Sequence, residues 1–188
     1  MAKVRNNIVT RGLSGKLGKL IVFRQVGDET IVTTVPVRKA YAPSEVQKKQ
    51  VSRFQRAIIY AKKAMQDEGL KAAYQMRAKG NRNAFNIAIA DFLNPPEIEA
   101  IDVSRYKGTK DSRLLVRVTD DHRVSGVNVS IYQEDDTLVE QGAAIAHENG
   151  LDWIYTVQKT NTHLKGSKLL IRASDIPGNI SEREQVLV

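Results

Sequence analysis

From Ser44 onward the period of the apolar residues changes once, from about 3.6 up to Leu93 to 2 beyond Ile98, and the change falls at Pro95-Pro96. Before the prolines, Val51, Phe54, Ile58, Ala61 and Met65 recur at spacings of 3, 4, 3 and 4, the stripe of an amphipathic helix. After them, Val127, Val129 and Ile131, and again Trp153, Tyr155 and Val157, alternate with period 2, as strands buried on one face do. A helical stripe and a strand alternation need different cover, so the chain reads as two modules, residues 1–94 and 97–188. The charge changes sign at the same place. Residues 1–94 hold 18 Lys and Arg against 6 Asp and Glu, a net of +12, and residues 95–188 hold 11 against 15, a net of −4. Only the first module is basic, which bears on partners and assembly rather than on fold.

The first module is expected to open with a β-hairpin. Leu20–Phe23 and Thr30–Val35 are rich in β-branched and aromatic residues, and Val26-Gly27-Asp28-Glu29 supplies the turn between them. Upstream, Gly12, Gly15 and Gly18 set a tight backbone from which Arg11, Lys16, Lys19 and, beyond it, Arg24 project. The spacing departs from a P-loop, because Gly15-Lys16 follows a glycine by only three positions and precedes Leu17. Ser44 then caps a helix, with Gln47 completing a capping box, and the helix is expected to run to about Gly69. Its polar face carries Lys48, Lys49, Arg53, Arg56, Lys62 and Lys63, which suit a phosphate backbone or an acidic partner, or simply a solvated surface. A short helix over Leu70–Lys79 ends at Asn81-Arg82-Asn83, and Asn83 caps a third, Ala84–Leu93, that is apolar on nearly every side. Such a helix is buried in its own module or in an oligomer contact through Phe85, Ile89 and Phe92. Asn86 and Asp91 interrupt it, and each needs a hydrogen-bond partner if covered.

Seven strand-like runs follow: Ile98–Tyr106, Arg113–Thr119, Gly126–Gln133, Thr137–Ala144, Asp152–Gln158, Ser167–Ala173 and Ser181–Val188. Seven short strands in a segment of this length point to an immunoglobulin-like sandwich, with Asp135-Asp136 as a hairpin turn and Trp153 as a core plug. The fold class expected is therefore an α+β module, a hairpin plus helices, followed by an all-β immunoglobulin-like sandwich.

The residues carry a resemblance as well. Arg117-Val-Thr-Asp-Asp-His-Arg-Val-Ser-Gly-Val-Asn-Val-Ser-Ile-Tyr, Trp153-Ile-Tyr-Thr-Val and Ile171-Arg-Ala-Ser-Asp-Ile-Pro-Gly-Asn resemble bacterial immunoglobulin-like repeats of adhesins and surface proteins, over residues 97–188. Gly12-Leu-Ser-Gly-Lys-Leu-Gly-Lys-Leu-Ile-Val-Phe-Arg and Asn83-Ala-Phe-Asn-Ile-Ala-Ile-Ala-Asp-Phe resemble uncharacterised proteins of Bacteroidota and their phages. The second likeness implies no activity. The first implies an interaction or decoration module of the kind found in phage tails, phage heads and related contractile machines.

The chemistry-bearing residues are few. There is no cysteine, which excludes a disulfide framework and thiolate metal sites. His122, His147 and His163 lie in expected loops away from any nucleophile elbow, so no enzyme is expected and no cofactor is called for. Asp120, Asp121, Asp175 and Asn179 sit in turns flanking strands and offer hard oxygen ligands for Ca²⁺ if those turns meet at one end, although acidic turns equally serve to cap backbone. Met1 is followed by no apolar run of signal-peptide length, and no stretch approaches the length of a membrane span, so a cytoplasmic or virion location is expected. Three functions fit: a structural subunit of a larger, homo-oligomeric assembly, a nucleic-acid-binding protein using the basic helix face, and an adhesin-like binding module.

Overall fold

The computed structural model describes residues 2–4, by their backbone, 8–36, 42–80 and 82–187. Asn81, within the break expected after the second helix, and Val188, at the end of the last expected strand, lie outside them.

The expected fold class is corrected. Among the described residues there are three four-stranded sheets and three helices, with the helices in the middle, where a module of one hairpin plus helices followed by an immunoglobulin-like sandwich was expected. The first sheet comprises β1 (Ala2–Val4), β2 (Gly15–Leu17), β3 (Ile21–Val26) and β4 (Glu29–Thr34), in the order β1-β4-β3-β2. Its centre is the expected hairpin. Val26 pairs with Glu29 across a two-residue turn, where Gly27 takes a φ of 60° that costs a glycine little. Two short strands extend the hairpin because backbone pairing asks little of side chains, and Gly15 enters β2 at a φ of 104°.

Three helices follow: α1 (Glu45–Ala64), α2 (Glu68–Arg77) and α3 (Ala84–Leu93). The Ser44 side chain accepts from the Gln47 amide while the Gln47 side chain accepts from the Ser44 amide, so the capping box forms. Asp67 caps α2 and Asn83 caps α3 in the same manner, each accepting from the amide three residues on. The first helix stops sooner than expected and Gly69 lies inside α2, because Asp67 supplies a start signal. The face that α1 buries is Ala57, Ala61 and Ala64, rotated ~70° around the helix from the expected stripe. Alanines let α1 approach α3, itself buried through Ala84 and Ala88, more closely than Val51 and Phe54 would, and those two remain 56% and 45% exposed.

Past Pro95 and Pro96 come β5 (Glu97–Asp102), β6 (Arg113–Thr119), β7 (Val124–Tyr132), β8 (Leu138–Ala143), β9 (Ile145–Ala146), β10 (Asp152–Thr156), β11 (Lys168–Asp175) and β12 (Ile180–Val186). They form two antiparallel sheets, β5-β6-β10-β9 and β12-β11-β7-β8. One core lies between the sheets, with Leu114, Val116 and Val118 of β6 facing Val127, Val129 and Ile131 of β7 and Leu169, Ile171 and Ala173 of β11. Trp153 is half-buried at the margin of this core instead of plugging it. Arg183 of β12 donates to the carbonyls of Ile98 (2.9 Å) and Glu99 (2.7 Å), stitching one sheet edge to the other.

Candidate functional site

The chemistry-bearing side chains converge where α3 meets two turns of the β region. Asp91 lies on the face of α3 turned away from solvent and is 1% exposed. Its Oδ2 accepts from the Tyr74 hydroxyl at 2.5 Å, and the Tyr74 oxygen lies 2.8 Å from the Tyr60 hydroxyl. Since Tyr74 has a single proton and gives it to Asp91, Tyr60 is the donor in the second bond. One relay thus ties α1, α2 and α3 together. Burial lifts both tyrosines above their ordinary range.

The β region reaches this helix through two turns. After β6, Asp121 accepts from the Asn94 side chain at 2.6 Å through Oδ2 and from Arg77 through its backbone carbonyl at 2.5 Å. His122 is buried, with its ring 4.4 Å from that of Tyr74. At the end of β11, Asp175 accepts from the amides of Gly178 (2.8 Å) and Asn179 (2.6 Å) in the following turn. The Asn179 side-chain amide donates to Asp175 Oδ2 (2.6 Å) and to the carbonyls of Asp91 (3.3 Å) and Phe92 (3.2 Å).

These contacts bring Asp91, Asp120 and Asp175 together, with one carboxylate oxygen from each lying within 4.8 Å of the others. Burial first, and then the charges of Asp120 and Asp175, push the Asp91 carboxyl up to about 6, against the pull of the Tyr74 hydrogen bond. Asp175 is raised too, chiefly by burial. His122 moves the other way, lowered by burial and by the nearby Arg77. Beside the carboxylates opens a groove of about 890 Å³ lined by Arg77, Lys79, Arg82, Asn86, Asp121 and His122, among others.

Of the four oxygen ligands expected from the sequence, the structure gathers Asp120 and Asp175. Asp121 is engaged by the helices instead, and Asn179 presents its nitrogen, not its oxygen, to Asp175. The unforeseen member is Asp91, whose only signal was a carboxylate interrupting an apolar helix. His122 was likewise missed as a buried group, since it sits in a turn that sequence alone leaves in solvent.

The expected basic face is scattered. Arg53 donates to the Leu93 carbonyl at 2.7 Å and so caps the end of α3, and Lys48 pairs with Glu45 at 2.7 Å. Lys49, Arg56, Lys62 and Lys63 are exposed on α1, whereas Arg11, Lys16, Lys19 and Arg24 are exposed on the first sheet and its turns. Gly12, Gly15 and Gly18 each take a positive φ, and a Cβ added at any of them would meet open space. Phe85, Ile89 and Phe92, expected in an oligomer contact, are half-buried inside the chain. Phe85 and Ile89 pack on the helical core, and Phe92 lies 5.5 Å from the Tyr60 ring.

No protein-family model matches the sequence, and no curated protein matches it. Among solved structures, an engineered protein aligns over 50% of this chain and 20% of its own, at 16% identity and a TM-score of 0.31. Domains 1–6 of the surface layer protein SbsC align over 74% of this chain and 23% of theirs, at 16% identity and a TM-score of 0.34. The chain spans about a fifth to a quarter of the length of these two structures, and likeness at this level carries no argument. Among the described residues, no helix is long and apolar enough to cross a membrane.

Proposed function

We propose that the chain is a non-enzymatic structural subunit of a larger assembly, of the virion or tubular-machine type, built from copies of itself. The observation behind this reading is that, among the described residues, the first sheet contributes to neither hydrophobic core. Register places Leu17, Ile21, Phe23 and Val32 on one face of the first sheet and Lys16 and Arg24 on the other. None of these joins either hydrophobic core, and Leu17 is 63% exposed. A small antiparallel sheet owes its stability to burying one face, so the cover for this one comes from a neighbour. Val51 and Phe54 on α1 add to the uncovered apolar surface.

A second copy suits the charge. Residues 1–94 carry +12 and residues 95–188 carry −4, so the first half of one subunit is attracted to the second half of the next. Such a head-to-tail contact closes into a ring or runs on as a filament. The test is the mass of the full chain by light scattering at low and moderate salt, for wild type and for Leu17→Asp with Phe54→Asp. Oligomers are expected for the wild type, weakening with salt, and monomers for the double variant. A wild type that stays monomeric at high concentration in both salts would defeat the proposal.

A further inference from the structure

We propose that Asp91, Asp120 and Asp175 bind a single divalent cation of the calcium class, which fastens the helical layer to the two β sheets. Three carboxylates distant in sequence come from three elements: α3, the turn after β6, and the end of β11. Two oxygens on opposite sides of a Ca²⁺ ion, each at ~2.4 Å, lie ~4.8 Å apart. The three carboxylate oxygens fall within that span of one another.

Hydrogen-bond accounting points to a ligand independently of this spacing. Tyr74 satisfies only Oδ2 of Asp91, a side chain 1% exposed, and its buried Oδ1 has no partner. Oδ1 of Asp120 is also buried and without a partner. A buried carboxylate oxygen left unpaired is costly, and two at one place mark a missing positive charge or donor. Among the described residues, no ion pair engages Asp91, Asp120 or Asp175. Asp175 is oriented by the Gly178 and Asn179 amides, and Asn179 also holds the Asp91 and Phe92 carbonyls, so the ligands are set before an ion arrives. Asn179 is thus a positioning residue. A hard cation with oxygen ligands fits this donor set, which includes no sulfur or imidazole.

The site stands whether or not the chain oligomerises, because binding is read per chain. Ca²⁺ is titrated by calorimetry into the chelator-stripped full chain at pH 7.5, with Mg²⁺ as a second arm, and Tb³⁺ emission sensitised by Tyr74 is followed in parallel. One Ca²⁺ per chain is expected, with Mg²⁺ weaker and Tb³⁺ emission displaced by Ca²⁺. Asp120→Asn keeps the shape of the side chain and removes like-charge repulsion, so it folds, and it should weaken Ca²⁺ binding at least tenfold. No saturable binding of either ion by the wild type, or an unchanged affinity in Asp120→Asn, would overturn the proposal. A shared proton in place of the ion would show as the former.

Discussion

Removing the Tyr74 hydroxyl tests the junction most directly. Tyr74→Phe leaves the ring against His122 and deletes one oxygen, which accepts from Tyr60 and donates to Asp91. At pH 8, in chelator, Asp91 is ionised, and losing a hydrogen bond to a buried carboxylate costs ~1.5–3 kcal/mol. The Tyr60 hydroxyl loses its acceptor as well, at ~1 kcal/mol, so the variant should be less stable by about 2.5–4 kcal/mol. At pH 5 the wild-type Asp91, whose carboxyl titrates at about 6, is mostly protonated, and the bond it forms is neutral and weaker. The cost there should fall to about 1.5–2.5 kcal/mol. Urea unfolding of both proteins at the two pH values, followed by far-ultraviolet circular dichroism, gives the comparison. Equal destabilisation at pH 5 and pH 8, or a cost at pH 8 below ~0.5 kcal/mol, would refute the relay from Tyr60 through Tyr74 to Asp91.

The wild type itself should gain stability on mild acidification. Asp91 is raised in the folded state from 3.8 to about 6, so folded chains bind more protons than unfolded ones in that window; its contribution is complete below 3.8 and lost as pH rises through 6, up to about 3 kcal/mol. A chelated protein whose urea midpoint does not fall between pH 5 and pH 8 would contradict this. Residues 97–188 expressed alone should give a β-rich, cooperatively unfolding domain, since their core is complete without the helices; a fragment with a random-coil spectrum would show that the helices are needed. If α1 binds phosphates, affinity for DNA or RNA should fall steeply with salt, and replacing Lys49, Arg56, Lys62 and Lys63 with Ala should flatten the slope. No binding at ~50 mM salt would remove nucleic acid as a partner.

Local structure was legible in the sequence wherever the signal was local. Ser44 with Gln47, and Asn83 ahead of an apolar run, mark helix starts because the capping side chain reaches an amide only three residues away. Arg113–Thr119 is a strand with the expected bounds, and the hairpin turn at Asp135-Asp136 forms with Asp136 at a φ of 65°. The charge division at Pro95-Pro96 needs no structure at all. Tertiary structure decided the rest. Apolar spacing alone favoured Val51 and Phe54 as the buried stripe of α1, but close packing against α3 selected Ala57, Ala61 and Ala64, since the smaller side chains allow the nearer approach. Backbone pairing, which leaves little trace in side-chain pattern, enlarged the expected hairpin to four strands. The meeting of Asp91 with Asp120 and Asp175 across 84 residues of chain depends on how a helix end and two turns dock, and no spacing rule reaches that far. Sequence set which residues prefer to be covered; only the docking of α3 against the β6–β7 and β11–β12 turns set which carboxylates were forced together, because burial and charge repulsion are properties of the assembled surroundings and not of the residue.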